Sequence, residues 1–177
     1  NLVSLADSLT TDTFTGENVE GLKLSAPGGS SVITPATTLL VEINKSSSST
    51  SSSDVANALG LSGVDIKNFN PFAPGVDQNI ALTAEKVASQ IIATVSSIAA
   101  AAEGTGANKD IAYDKAISAV STAVINEIND GNTTDSLNLS STNVLNEIKT
   151  TAINQLSSSV TSSDAFETVL NKGIEAV

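Results

Sequence analysis

Apolar residues recur at three- and four-residue spacing through most of the chain, which is the period of one helix face. Val87, Ile91, Val95, Ile98 and Ala102 make one such stripe. It predicts a helix that starts near Asp77 or Thr83 and stops at Glu103-Gly104-Thr105-Gly106. Tyr113, Ile117, Val120, Val124 and Ile128 make a second, from Asp110 to about Asn129, halted by Asp130-Gly131-Asn132. Leu145, Ile148, Ala152, Leu156 and Val160 make a third, over about Ser141 to Val160. Ser162 and Ser163 cap a last helix with Phe166, Val169 or Leu170, Ile174 and Val177 on its apolar side. Nearer the start, Thr34-Pro35 is a helix opening, since Thr caps free amides and Pro suits the first helical position. The helix it opens runs to about Asn44 with Leu39, Leu40 and Ile43 on one side, and a short one follows from Ser53-Asp54 to Leu59, ended by Gly60.

Between these elements the pattern changes. Residues 1–33 read as an extended lead-in: Leu22-Lys23-Leu24 alternates as a strand does, Ala26-Pro27-Gly28-Gly29-Ser30-Ser31 is turn chemistry, and Val32-Ile33 suits a second short strand. Residues 45–53 are a Ser/Thr run too polar to bury, expected to form a mobile loop. Leu61 to Gly75 is irregular and punctuated by Pro71 and Pro74, with Phe69 and Phe72 expected to lie over the core. The fold class is therefore mainly α: a bundle of about four to six helices over residues 34–177, behind a short extended or β lead-in over 1–33. No fixed internal period appears.

Composition narrows what such a bundle does. Aromatics are 3% of the 177 residues, so the core is built from Ala, Val, Ile and Leu. The formal charge is −11, and the basic residues are all lysine. That argues against nucleic acid, which wants a basic patch and bidentate Arg, and against an anionic membrane surface. The longest apolar run, Ile91 to Ala102, is broken by Thr94, Ser96 and Ser97 and falls short of the roughly 20 residues that span a bilayer, so no membrane insertion is expected. Opening at Asn1 without an initiator Met, the chain reads as a piece of a longer polypeptide.

His, Cys, Met and Trp are absent. Without His or Cys there is no Ser-His-Asp or Cys-His constellation and no zinc site of the usual ligands. The turn Ala26-Pro27-Gly28-Gly29-Ser30 lacks the Lys and helix context of a phosphate loop. The carboxylate pairs Asp110 with Asp114 and Glu127 with Asp130 occupy ordinary helix positions, and no Trp offers a sugar platform. The expectation is that the chain is not an enzyme. No cofactor is implied; calcium is the ion to weigh, since carboxylates and backbone carbonyls bind it well, with Asp7, Asp12, Asp65 and Asp77 as candidates. No regular calcium-binding loop or repeat motif surrounds them. A ligand groove, if the bundle holds one, would use Phe69, Phe72 and Tyr113.

One stretch carries a resemblance. Leu22 to Leu40, with its Ala-Pro-Gly turn and Thr-Pro helix start, is followed by Ala58-Leu59-Gly60-Leu61, Val64-Asp65-Ile66 and Phe69-Asn70-Pro71, and then by the Ala-rich helix Ala84 to Ala102. Together these resemble a helical module of very large secreted bacterial proteins, adhesin-like chains that often carry calcium-binding RTX repeats or immunoglobulin-like domains. The serine run 46–53 and Asn70, where Asp is commoner, depart from that pattern, and no RTX repeats are present. The resemblance implies a place on the bacterial cell surface within a multidomain chain. The function it suggests is structural or adhesive, as a spacer, surface-layer or matrix subunit. Its partners would be neighbouring domains, copies of the same protein, or a cell-surface glycan or protein. The alternative is an extracellular binding module for a carbohydrate, peptide or hydrophobic ligand.

Overall fold

A computed structural model describes residues 1–10, 21–47, 49–130 and 136–174. Two strands, β1 (Leu2–Leu5) and β2 (Lys23–Ala26), pair antiparallel with Leu2 opposite Ala26 and Leu5 opposite Lys23. Six helices follow among the described residues: α1 (Pro35–Ser46), α2 (Ser52–Ala58), α3 (Gln78–Gly104), α4 (Lys109–Asn129), α5 (Thr142–Leu156) and α6 (Ser163–Ile174). The protein is a helical bundle with a short β lead-in.

Helix α4 is the hub, packed against α1, α2, α3 and α5. More than half of its middle circumference is buried, through Ala116, Ile117, Ala119, Val120, Ser121, Ala123 and Val124, while Lys115, Ser118 and Thr122 mark the outer side. So wide an apolar face suits a helix that several others pack against. Small side chains make that enclosure workable, because Ala at Ala112, Ala116, Ala119 and Ala123 lets neighbouring backbones come close. The spacing rule had picked out Ile117, Val120 and Val124 and passed over these alanines. Helix α3 lies against α4 and α6, burying Ile91, Val95, Ile98 and Ala102. On α6, Phe166 and Leu170 are fully buried, so Leu170 rather than the exposed Val169 is the inward residue.

At 27 residues α3 is longer than the apolar run Ile91–Ala102, and it passes the length and composition test for a membrane span. It would measure about 40 Å. Its apolar stripe is nevertheless taken up by the other helices of the bundle.

The sequence reading is corrected at several boundaries. The two ends of the serine run 45–53 belong to helices: Lys45 and Ser46 end α1, Ser51 caps α2, and Ser52 and Ser53 begin it. Ser51 can do this because it and Asp54 form a reciprocal capping box, which outweighs the modest helix propensity of serine. Helix α5 stops at Leu156 instead of Val160, where Ser157 and Ser159 turn the chain back on Ile153 and Leu156 carbonyls. Val32-Ile33 is not a strand; β2 pairs instead with Leu2–Leu5. Leu139, to which no role was assigned, is fully buried in the turn before α5, and the Leu137 amide donates to the Ala58 carbonyl at 2.8 Å.

The lead-in is stitched to the bundle by hydroxyls. Thr37 and Thr38 on α1 are buried, yet both are bonded. The Ser25 amide donates to Thr38 Oγ1 at 2.9 Å, and Thr38 donates to the Thr34 carbonyl at 2.8 Å. Thr37 Oγ1 accepts from the Thr34 amide at 2.8 Å and donates to the Ser25 carbonyl at 2.9 Å. Two threonines thus stand in for the strand that β2 lacks on that side.

Elsewhere the hydroxyls of Thr94 on α3 and Ser121 on α4 are buried with no hydrogen-bond partner. A buried polar group left unpaired costs stability, and a paired one that loses its partner costs about 1–3 kcal/mol. The same substitution should therefore act in opposite directions at two sites. Thr94→Val is expected to stabilise the fold by about 1 kcal/mol and Thr38→Val to destabilise it by about 1–3 kcal/mol, both read from urea unfolding followed by circular dichroism.

Candidate functional site

Phe69, Phe72 and Tyr113, singled out from sequence, divide between two of the surface clefts formed by the described residues. The first is an apolar groove of about 440 Å³ between the start of α1, the irregular segment 61–72 and the α3 face carrying Ala84, Ala88 and Ile92. Phe69 and Phe72 both line it. Phe69 is half-buried, but Phe72 is 77% exposed, against the expectation that both would cover the core. Local chemistry turns it outward. Asn70 Oδ1 accepts from the Phe72 amide at 3.0 Å and the Asn70 carbonyl accepts from Ala73, closing a turn around Pro71. Ile66, on the same segment, is buried.

The second cleft, about 570 Å³, lies between the end of β1 and helices α3 and α4. Asp7, Lys23, Lys109, Asp110, Tyr113 and Asp114 line it. Tyr113 is therefore not in one groove with Phe69 and Phe72, and that part of the ligand-groove expectation is overturned. The stripe on α4 places it beside the β ribbon, and its hydroxyl donates to the Lys23 carbonyl at 2.6 Å. Lys23 Nζ lies 3.7 Å from Asp114 Oδ1, with both side chains about half exposed. A pair that open adds little to stability. Lys23 and Lys109 were missed from sequence, since nothing in a short strand or a helix start marks a lysine as facing a cleft.

The calcium candidates are separated. Asp7 Oδ1 accepts from the Leu9 amide and the Thr10 hydroxyl, and these bonds, the Thr10 one foremost, hold its pKa below the ordinary value. Asp65 accepts from the Asn68 side chain and the Lys67 amide, with the same effect. Asp77 caps α3, accepting from the Asn79 and Ile80 amides. Asp12 lies outside the described residues. Among the described residues no group of three or more carboxylates converges as a metal shell would.

The cleft at Tyr113 can hold a polar or charged ligand through its lysines and carboxylates. Burial, helped by the neighbouring Asp114 carboxylate, pushes the Tyr113 pKa up to about 12. The bond to the Lys23 carbonyl also requires the neutral phenol. Because the folded pKa lies above the unfolded value near 10, this stabilisation is complete below about pH 10 and lost as pH rises towards 12. Tyr113→Phe is expected to flatten that alkaline fall and to lower stability at neutral pH by about 1 kcal/mol, as measured by urea unfolding across the alkaline range with the wild type alongside.

No family model, curated protein or solved structure matches the chain.

Proposed function

We propose that this chain is a non-enzymatic structural or adhesive module of a large extracellular bacterial surface protein, acting as a spacer or as a surface-layer or matrix subunit. The observation that carries this reading is how the polar side chains are used. Asp7, Asp54, Asp65, Asp77 and Asn108 each accept from backbone amides within three residues of themselves. Asp54 does so from the Ser51 amide, closing the α2 capping box. Groups tied into their own turns and caps hold a scaffold together; a reactive centre needs them aimed at a shared point. The acidic surface suits the same role, keeping copies soluble and apart except where neutral surface permits contact. The resemblance carried by Leu22 to Ala102 adds the setting, a multidomain chain whose partners are neighbouring domains or further copies.

A second reading has its own support in the first groove, where Phe72 stands exposed at the rim of an apolar cleft. It makes the chain an extracellular binding module for a carbohydrate, peptide or hydrophobic ligand, with Phe72 as the contact.

Antibody raised against the chain is expected to label intact cells of its source organism. Labelling that requires permeabilised cells would overturn the surface assignment. Glycan and peptide arrays decide between the two readings: a signal that disappears in a folded Phe72→Ser variant favours the binding module, and its absence favours the scaffold.

A further inference from the structure

The β ribbon has two outer edges, and they are treated differently. The Ala6 amide donates to the Leu22 carbonyl at 2.9 Å, so Ala6, Ser4 and Leu2 are the positions whose backbone groups face β2. By the alternation of an antiparallel ladder, Val3 and Leu5 direct theirs outward, as do Lys23 and Ser25 on the opposite edge. On the β2 edge three of those four groups are occupied. Ser25 bonds to Thr37 and Thr38, and the Lys23 carbonyl accepts from Tyr113. On the β1 edge no strand pairs with Val3 or Leu5 among the described residues. Leu2, Val3 and Leu5 are 43%, 59% and 68% exposed.

An open strand edge is a template for another strand, and proteins usually guard it with Lys, Pro or a bulge. Leu2-Val3-Ser4-Leu5 carries no such guard. We propose that β1 is a self-association edge that pairs antiparallel with β1 of a second copy. The inference rests on the scaffold reading above and names its contact.

The occupant follows from pattern and charge. A two-fold axis through Ser4 sets Val3 against the partner's Leu5 and Ser4 against the partner's Ser4, an apolar-polar-apolar match with itself. Val3 and Leu5 then exchange the outward N–H and C=O groups. Each chain has a formal charge of −11, so two copies repel over most of their surface, but Leu2 to Ala6 is uncharged. In this register Asp7 falls opposite Asn1 and not opposite another Asp7. Four residues a side make a small interface, so association is weak and concentration-dependent, the kind that gains strength through many copies.

Analytical ultracentrifugation of the 177-residue chain tests this. The wild type is expected to show a monomer–dimer equilibrium that strengthens as salt screens the net charge. Leu5→Pro removes one outward amide and leaves the bonds to β2; it is expected to give a folded monomer. The double variant V3K/L5K places lysines opposite each other across the axis and should also be monomeric. V3K/L5E sets Lys against Glu and should recover the dimer. A wild type monomeric at every concentration and salt overturns the proposal, even if cell labelling upholds the surface assignment. A dimer unchanged by Leu5→Pro and V3K/L5K also overturns it, by placing the contact elsewhere.

Discussion

The architecture depends on enclosing α4. A central helix must present an acceptable surface in every direction, and here it does so with Ala and Val more than with large side chains. Four helices lean on it, and α3 and α5 have their fully buried isoleucines and leucines in the layers around it. Because the residues at the hub are small, the helices around it sit close and leave little tolerance for added volume. Among the described residues Phe166 is the one fully buried aromatic; it lies on α6, which packs against α3.

Polar groups do the remaining structural work. Capping boxes at Thr34 and Ser51 open α1 and α2, and Asp77 and Asn108 open α3 and α4. The paired hydroxyls of Thr37 and Thr38 then join the β lead-in to the bundle. Each bond is worth little by itself, but leaving Ser25 unpaired beside a buried helix start would be costly. The richness in Ser and Thr, which looked like a surface feature, is in part an interior adhesive. Three surfaces are left for contacts with other molecules: the Phe72 groove, the Tyr113 cleft and, among the described residues, the outer edge of β1.

How much of these surfaces could be read in advance varies with the residue. Phe69 and Phe72 line one groove because both sit on one short irregular segment. Their orientation was not legible, because it depends on which way the Asn70 turn points relative to α3. Tyr113 was grouped with them on chemistry alone, though it lies on a different helix and opens on a different cleft. Asp7, Asp65 and Asp77 were visible as loop carboxylates, and their bonding within their own turns follows from short-range geometry that Asp favours.

What the sequence by itself determined is the local grammar: a mainly helical chain, the stripes on α3, α4, α5 and α6, and the Thr34-Pro35 start. Such features depend on periodicity and on residues within a turn or two of each other. Only the tertiary structure decided that α4 is the hub, that its alanines are core residues, that β2 pairs with Leu2–Leu5, and that Tyr113 lies against one edge of the ribbon while no strand among the described residues pairs with the other. These rest on contacts between residues far apart in the chain, such as Tyr113 with Lys23 and Leu137 with Ala58. An alanine or a strand edge looks the same in sequence whether or not something lies against it, so only the packed chain distinguishes the two.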